Sequence, residues 1–399
     1  MFQKLVSHNK DLRRLVEEGF AVAFDSNHLV VRDIPYLDDK LQLKWSAFVT
    51  KLEFINENEV TQQNHQVFFT GSDPYELDGT PVRGLAPSPA QLPLSEACKD
   101  LVVQRAFSCK PVKGQKYDDF FHKIDTYVAR ISGPAMHKYN ANPHTFRSVQ
   151  TVSPDLVFKF QDTMTSLAGI GDLSAKFRND VVAVIGAGGT GAYLLDFLAK
   201  AAVREVRAFD GDRFHVHNAF RSPGKTEAEE FGKNKAELYA LRYANFRTGF
   251  AFAPKFIDAT CADDLIGVTF AFVCVDKGAA RAEIFELLLN MKIPFIDVGM
   301  GLRRKQNGSL NGMLRTTYYS VEEGAHVRDL GLADLRDNPN DEYRTNIQIS
   351  ELNALNACLA IVKFKQLRGF YFEEAPLFNM LFEVADLKIA SSERETQDH

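Results

Sequence analysis

The sequence predicts a doubly wound α/β domain with a mostly parallel sheet, preceded by an N-terminal α+β domain. Three observations carry this. From about residue 167, strand-like apolar runs alternate with helical stretches. The apolar run 181–186 breaks into Gly186-Ala-Gly-Gly-Thr-Gly191, and a helical stretch comes directly after it. Before residue 160 no such alternation exists, and two-residue strand periods mix with helical ones.

In the first half, 9–18 reads as a helix with Leu12, Leu15 and Val16 on one face. Segments 20–24 and 28–34 alternate as strands, and Asp25-Ser26-Asn27 supplies turn chemistry between them. Segments 46–55 and 66–70 also read as strands, 71–93 as a long Gly- and Pro-rich loop, and 116–139 as a helix. The lone Trp45 reads as a core residue. This half carries no catalytic signature.

The second half reads in order as strand 181–186, helix 192–202, strand 205–209, helix 226–245, strand 270–275, helix 279–291, strand 294–298 and helix 348–365. The polar end, 391–399, reads as frayed. The expected domains are therefore 1–160, of unassigned role; 161–375, a nucleotide-binding α/β domain; and 376–399, a C-terminal extension.

Composition narrows the function classes. The chain is 45% hydrophobic and 25% charged, as a globular protein is, and its net charge of −5 offers no global field for nucleic acid or an anionic membrane. No apolar run reaches the ~18 residues of a membrane span, and the N-terminus lacks a signal-peptide core. Five scattered cysteines, without Cys-x-x-Cys spacing, point to a reducing cytoplasm and to no structural zinc. His215 and His217 alternate as loop or strand-edge residues rather than as metal ligands.

The glycine turn alone says only "nucleotide". Glycines let the backbone approach a phosphate, and the helix N-terminus adds N–H donors and partial positive charge. The strand 205–209 ends in Asp210-Gly-Asp212, and an acid at that distance commonly holds ribose hydroxyls. To this point a nicotinamide-dependent dehydrogenase fits equally well. Beyond it, Asn218 and Arg221 follow Asp212 by six and nine positions, and Gly232-Lys-Asn-Lys235 opens a helical stretch. A triphosphate carries about four charges, against about two for a bridging pyrophosphate, and calls for cationic side chains and a metal. Arg221 and Lys235, with the neutral donor Asn218, suit that load. Asp276 ends the apolar run 270–275, where a carboxylate faces the ligand crevice and can hold Mg²⁺.

With these residues together, the second half resembles the ThiF/MoeB/HesA superfamily, the Rossmann-like adenylating domain of ubiquitin-activating enzymes. The matching positions are Gly186, Gly188, Gly189, Gly191, Asp212, Asn218, Arg221, Lys235 and Asp276. The resemblance implies that Asp212 holds the ATP ribose, that Asn218, Arg221 and Lys235 hold the phosphates, and that Asp276 binds Mg²⁺. It implies adenylation of a protein's C-terminal carboxylate, with pyrophosphate released. The stretches 217–224 and 346–356 resemble a bacterial branch that carries an extra N-terminal domain. That branch is typically encoded beside ubiquitin-like and conjugating-enzyme-like proteins. The implied partners are thus a ubiquitin-like protein ending in glycine, a conjugating-enzyme-like protein and a second copy of this chain; nucleic acid and membrane are not among them.

Two departures from the family pattern bear on the fate of the acyl group after adenylation. Relatives often transfer it to a crossover-loop cysteine, yet 302–347 contains none. Cys274 and Cys358 read as small core residues, and Cys261 lies away from the expected position. Thr316, Thr317 and Ser320 are the hydroxyls available for an oxyester; the alternative is direct passage to a partner's nucleophile. Relatives also insert an arginine from the partner subunit about two dozen residues before the glycine loop. Here 158–162 has no arginine, which leaves Lys159 or the N-terminal half to supply the cation.

Overall fold

The structure, a computed structural model, describes residues 2–25, 27–94, 98–111, 116–149, 157–160, 162, 164–165, 168, 170–306, 308–337 and 347–393. The chain divides into two compact units, Met1–Gly171 and Asp172–His399.

In the first unit, helices α1 (Phe2–His8) and α2 (Lys10–Glu17) precede β1 (Ala21–Asp25), β2 (His28–Leu37) and β3 (Leu43–Lys51). A short pair comes next, β4 (Glu53–Phe54) with β5 (Val60–Thr61); then come β6 (Gln66–Phe69), β7 (Ser88–Pro89), β8 (Arg105–Ser108) and α3 (Phe120–Tyr139). The main sheet has the order β1-β2-β3-β6-β8-β7, with every pair antiparallel. Its core joins Leu12 and Leu15 to Phe48, Phe69, Phe107, Phe120 and Tyr127. The helix expected from 116 begins at Phe120, because Asp119 accepts from His122 N at 2.7 Å and caps it. Trp45 departs from expectation: it is 51% exposed, near the start of β3 and ahead of the five buried residues that follow it. Lys123 departs in the opposite sense. It is only 1% exposed, and its ammonium donates to Thr50 Oγ1 at 2.6 Å and to Asn64 O.

The second unit runs α4 (Gly171–Ala175), β9 (Val181–Ile185), α5 (Gly189–Ala199), β10 (Glu205–Phe209), α6 (Val216–Ala219), α7 (Lys235–Tyr243) and β11 (Phe250–Ala253). It continues with β12 (Phe270–Val273), α8 (Gly278–Asn290), β13 (Phe295–Arg304), β14 (Leu310–Tyr319), α9 (Gly324–Asp329), α10 (Ser350–Leu367), β15 (Leu377–Glu383) and β16 (Lys388–Glu393). One sheet takes all these strands in the order β11-β10-β9-β12-β13-β14-β15-β16. The pairs from β11 to β13 are parallel and those from β13 to β16 antiparallel. The chain winds outward from β9 to β11 and returns on the other side of β9 as β12. That reversal creates a crevice at the C-terminal ends of β9 and β12, where open α/β sheets bind ligands. β9 is buried at all five positions, with one apolar layer on each face of the sheet.

Several elements differ from the sequence expectation for visible reasons. Helix α5 starts at Gly189 and stops at Ala199, where the buried Arg247 guanidinium donates to the carbonyls of Leu198, Ala201 and Val203. The helix expected over 226–245 reduces to a 3₁₀ turn, Ala228–Glu230, and α7, because Asn234 caps the latter by accepting from Glu237 N at 3.1 Å. The strand expected over 294–298 continues to Arg304 as one arm of a hairpin with β14. Residues 391–393 belong to β16 rather than to a frayed end; 394–399 lie outside the described residues, as does Asn346. Among the described residues no helix is long and apolar enough to cross a membrane.

Candidate functional site

The glycine turn leaves β9 with Gly186 at φ +93°, a left-handed conformation that side chains rarely adopt. At Gly191 the constraint is space: an added Cβ would stand 1.9 Å from the Gly186 carbonyl oxygen. The Asn353 side chain of α10 fills the room beside Gly189, and Thr190 Oγ1 donates to Asn353 Oδ1 at 2.9 Å. Gly188, the residue before α5, faces open space. The turn thus has a packed inner side and an open outer side, with the N–H groups of an 11-residue helix behind it.

Asp210 organises the neighbouring strand end. Its carboxylate accepts from Ala187 N at 2.7 Å and from Asp212 N at 2.8 Å, tying the glycine turn to the β10 end. Burial pushes its carboxyl above the usual range, against the pull of Lys235 and those two amides. Asp210 is therefore a buried brace, whereas Asp212 is the exposed acid. Lys235, itself buried, sits 2.9 Å from Asp212 and 3.7 Å from Asp210. Asn234 fixes this corner by donating to the backbone oxygens of Asp210 and Asp212 at 2.7 and 3.1 Å.

Asn218 and Arg221 come from α6 and the residues just after it. Asn218 is 2% exposed; its Oδ1 accepts from His215 N at 2.8 Å, while its Nδ2 has no partner among the described residues. Arg221 Nε is likewise buried without a partner among the described residues. Burial lowers the Arg221 guanidinium from its ordinary value, and Asp276 acts to raise it. His217 is held low by burial and then by Arg221, His215 and Lys235, so these groups share one electrostatic neighbourhood. Asp276 stands exposed beyond β12, and its carboxylate has no hydrogen-bond partner among the described residues. The predicted residues on three strand ends thus gather around the crevice: the glycine turn with Asp210, the Asp212–Lys235 pair, and the Asn218–Arg221–Asp276 side.

The residues fit a nucleotide and a divalent ion in a specific way. Two buried donors without partners among the described residues, one of them on an arginine that shares a charge neighbourhood with His217 and Asp276, suit an anion with several oxygens. No cluster of three or more potential metal ligands exists among the described residues. A lone exposed carboxylate suits Mg²⁺, which keeps several waters and takes its other ligands from phosphates.

The hydroxyls considered for an oxyester are engaged inside the fold. Thr316 and Thr317 are 1% and 0% exposed, bonded to Asn356 and Asn379 at 3.1 and 2.8 Å. Ser320 is 4% exposed, and its oxygen accepts from Glu323 N. Packing of Thr316 against α10 and Thr317 against β15, and the burial of Ser320 just before α9, make them unsuitable acceptors. All five cysteines are free thiols; Cys261 is buried, and burial raises the Cys274 and Cys358 thiols.

Sequence reasoning missed three contributors. Asn234 and Asn353 are placed only by tertiary contact. Asp297 is fully buried between Arg281 and Arg315. Its signal was available, since an acid inside the apolar run Phe-Ile-Asp-Val requires a buried cation.

A domain family of unknown function, DUF6791, matches residues 10–163. No curated protein matches the chain. Among solved structures, PaaA is 16% identical, covering 58% of this chain and 70% of its own, with a TM-score of 0.44. E. coli MccB with MccA-N7isoASN is 15% identical, covering 58% and 69%, with a TM-score of 0.44. E. coli MccB with ATP is 17% identical, covering 55% and 65%, with a TM-score of 0.41. The ThiF family profile matches residues 162–362, just over half of the 399-residue sequence and the whole parallel part of the sheet, and the chain belongs to the ThiF family.

Proposed function

We propose that the second unit catalyses ATP-dependent adenylation of a protein C-terminal carboxylate. One observation carries this reading: Asn218 Nδ2 and Arg221 Nε are buried donors without partners among the described residues, and Arg221 shares its charge neighbourhood with Asp276 and, through His217, with Lys235. Leaving such donors unpaired is costly, and a polyphosphate repays that cost. A dinucleotide pyrophosphate, held mostly by backbone amides, does not call for them.

In the proposed reaction a carboxylate oxygen attacks the α-phosphorus of ATP. The bond from that phosphorus to the α–β bridging oxygen breaks, giving an acyl-adenylate and pyrophosphate. The amides behind Gly188 and the side chains of Asn218, Arg221 and Lys235 orient the phosphates and offset the charge that builds on them. Asp212 holds the ribose once Lys235 turns to phosphate. Asp276 would hold Mg²⁺, which would supply further charge neutralisation for the departing pyrophosphate.

The substrate in this reading is a ubiquitin-like protein ending in glycine, in the cytoplasm, with a homodimer as the working form. The three hydroxyls considered as acceptors and Cys261 are buried, and Cys274 packs against the core, which supports direct passage of the acyl group to a conjugating-enzyme-like partner. ATP–pyrophosphate exchange, with and without a co-encoded ubiquitin-like protein, tests the proposal. Exchange is expected only with that protein present, and Asp276→Ala abolishes it. Full exchange in Asp276→Ala removes Asp276 from the site, and NAD binding in place of ATP in equilibrium dialysis overturns the reading.

A further inference from the structure

The peptide joining Val275 to Asp276 is held by a buried guanidinium. Arg281, in the first turn of α8, is 6% exposed and donates from three nitrogens to three different segments. Its Nη2 donates to the Val275 carbonyl, its Nε to Asp297 Oδ1 at 3.1 Å, and its Nη1 to the Asp334 carbonyl at 2.9 Å. Asp297, with no exposed surface, is gripped on its other oxygen by Arg315 Nη2. Arg315 is fixed in turn by Thr317 Oγ1 at 2.8 Å. The segment that supplies the Asp334 carbonyl is pinned again at Asp337, which accepts from Ala279 N at 3.2 Å.

The Val275 carbonyl and the Asp276 amide belong to one rigid peptide plane. Whatever orients that carbonyl orients the backbone that carries the Asp276 carboxylate. A lysine cannot reproduce this, because it has one nitrogen where arginine has a planar fork. Neutralising Asp297 does not by itself demand Arg281, since Arg315 already pairs with that carboxylate.

We infer that Arg281 is a positioning residue, holding the Asp276 carboxylate toward the ligand crevice through the Val275 carbonyl, with Asp297 and Arg315 as its anchor. The inference rests on the reading of Asp276 as the metal-holding carboxylate. Residues that hold a metal's ligand in place typically cost about 10- to 100-fold in metal affinity when changed.

The test uses the full-length chain, with Mn²⁺ as a paramagnetic probe and β,γ-methylene-ATP as the nucleotide. Mn²⁺ binding is read by electron paramagnetic resonance, and nucleotide binding is read separately in EDTA. Arg281→Lys keeps a cation opposite Asp297, and metal-free nucleotide binding reports whether the crevice is intact. The expected result is about tenfold or greater loss of Mn²⁺ affinity in Arg281→Lys, with metal-free nucleotide affinity within about twofold of wild type. Asp276→Asn is expected to lose Mn²⁺ binding altogether. Unchanged Mn²⁺ affinity in Arg281→Lys, while Asp276→Asn has lost it, overturns the role of Arg281 and leaves the adenylation reading standing. Parallel loss of metal-free nucleotide binding in Arg281→Lys also overturns it, as a purely structural effect. Mn²⁺ binding by Asp276→Asn equal to wild type removes the metal reading of Asp276 and this inference together.

Discussion

Lys123 makes the stability of the first unit depend on pH in a calculable way. Its amine is 1% exposed, bonded to two neutral oxygens, and burial lowers its pKa from 10.5 to about 7. The folded pKa lies below the unfolded one, so between the two the unfolded chain carries a proton that the folded chain lacks. Stability therefore rises with pH across this window, by up to about 1.4 kcal/mol per unit. Below about pH 7 both states are protonated and the burial penalty is fully felt. From pH 7.5 to 9.0 the gain is about 2 kcal/mol. Lys123→Met removes the titrating group while keeping similar length. Urea denaturation followed by the fluorescence of Trp45, the sole tryptophan and a residue of this unit, reports the transition. Wild-type stability is expected to gain about 2 kcal/mol on the variant between those pH values, whatever the offset at neutral pH. Wild-type and variant curves that stay parallel to within about 0.5 kcal/mol would refute the reasoning.

Other outcomes rest on the same geometry. Gly191→Ala forces a methyl group onto the Gly186 carbonyl oxygen and is expected to lose ATP binding and about 1–3 kcal/mol of stability, read by calorimetry and thermal melting. Arg221→Gln is expected to weaken ATP about 10- to 100-fold while leaving adenosine unchanged, since a charged hydrogen bond contributes about 1.5–3 kcal/mol; equal loss of both ligands counts against phosphate contact. Arg247→Ala strips the donor from carbonyls at the end of α5 and is expected to destabilise the second unit by about 3 kcal/mol, seen as a lowered melting temperature with nucleotide affinity per folded molecule preserved.

The legible parts of the fold were those with strong local signals. β9 and β12 are continuous apolar runs, β10 alternates polar with apolar residues before its apolar end, and the glycine turn marks its own place between strand and helix. The β13–β14 hairpin was only half legible because Gly299, Gly301 and Gly312 dilute its strand pattern, while its pairing is set across the hairpin. β15 and β16 fall in the stretch 376–399, which reads as a C-terminal extension with a polar end; their place at the sheet edge comes from β15 pairing with β14, a contact distant in sequence, and from β16 pairing with β15. At the site, Asp212, Asn218, Arg221, Lys235 and Asp276 were named by spacing, yet the division of labour between Asp210 and Asp212 was not. Burial separates them, and burial depends on the loops around them rather than on their neighbours in the chain.

By itself the sequence determined the class of the second unit, the glycine turn and the set of charged residues near it, because periodicity and turn chemistry are local properties. Only the tertiary structure decided which of those residues are buried, which donors stand without partners among the described residues, and which hydroxyls are packed away. It alone revealed Lys123 bonded to two neutral oxygens and Arg281 bridging three segments. Those properties arise when residues far apart in sequence exclude water from one another, and no local pattern encodes which residues will meet.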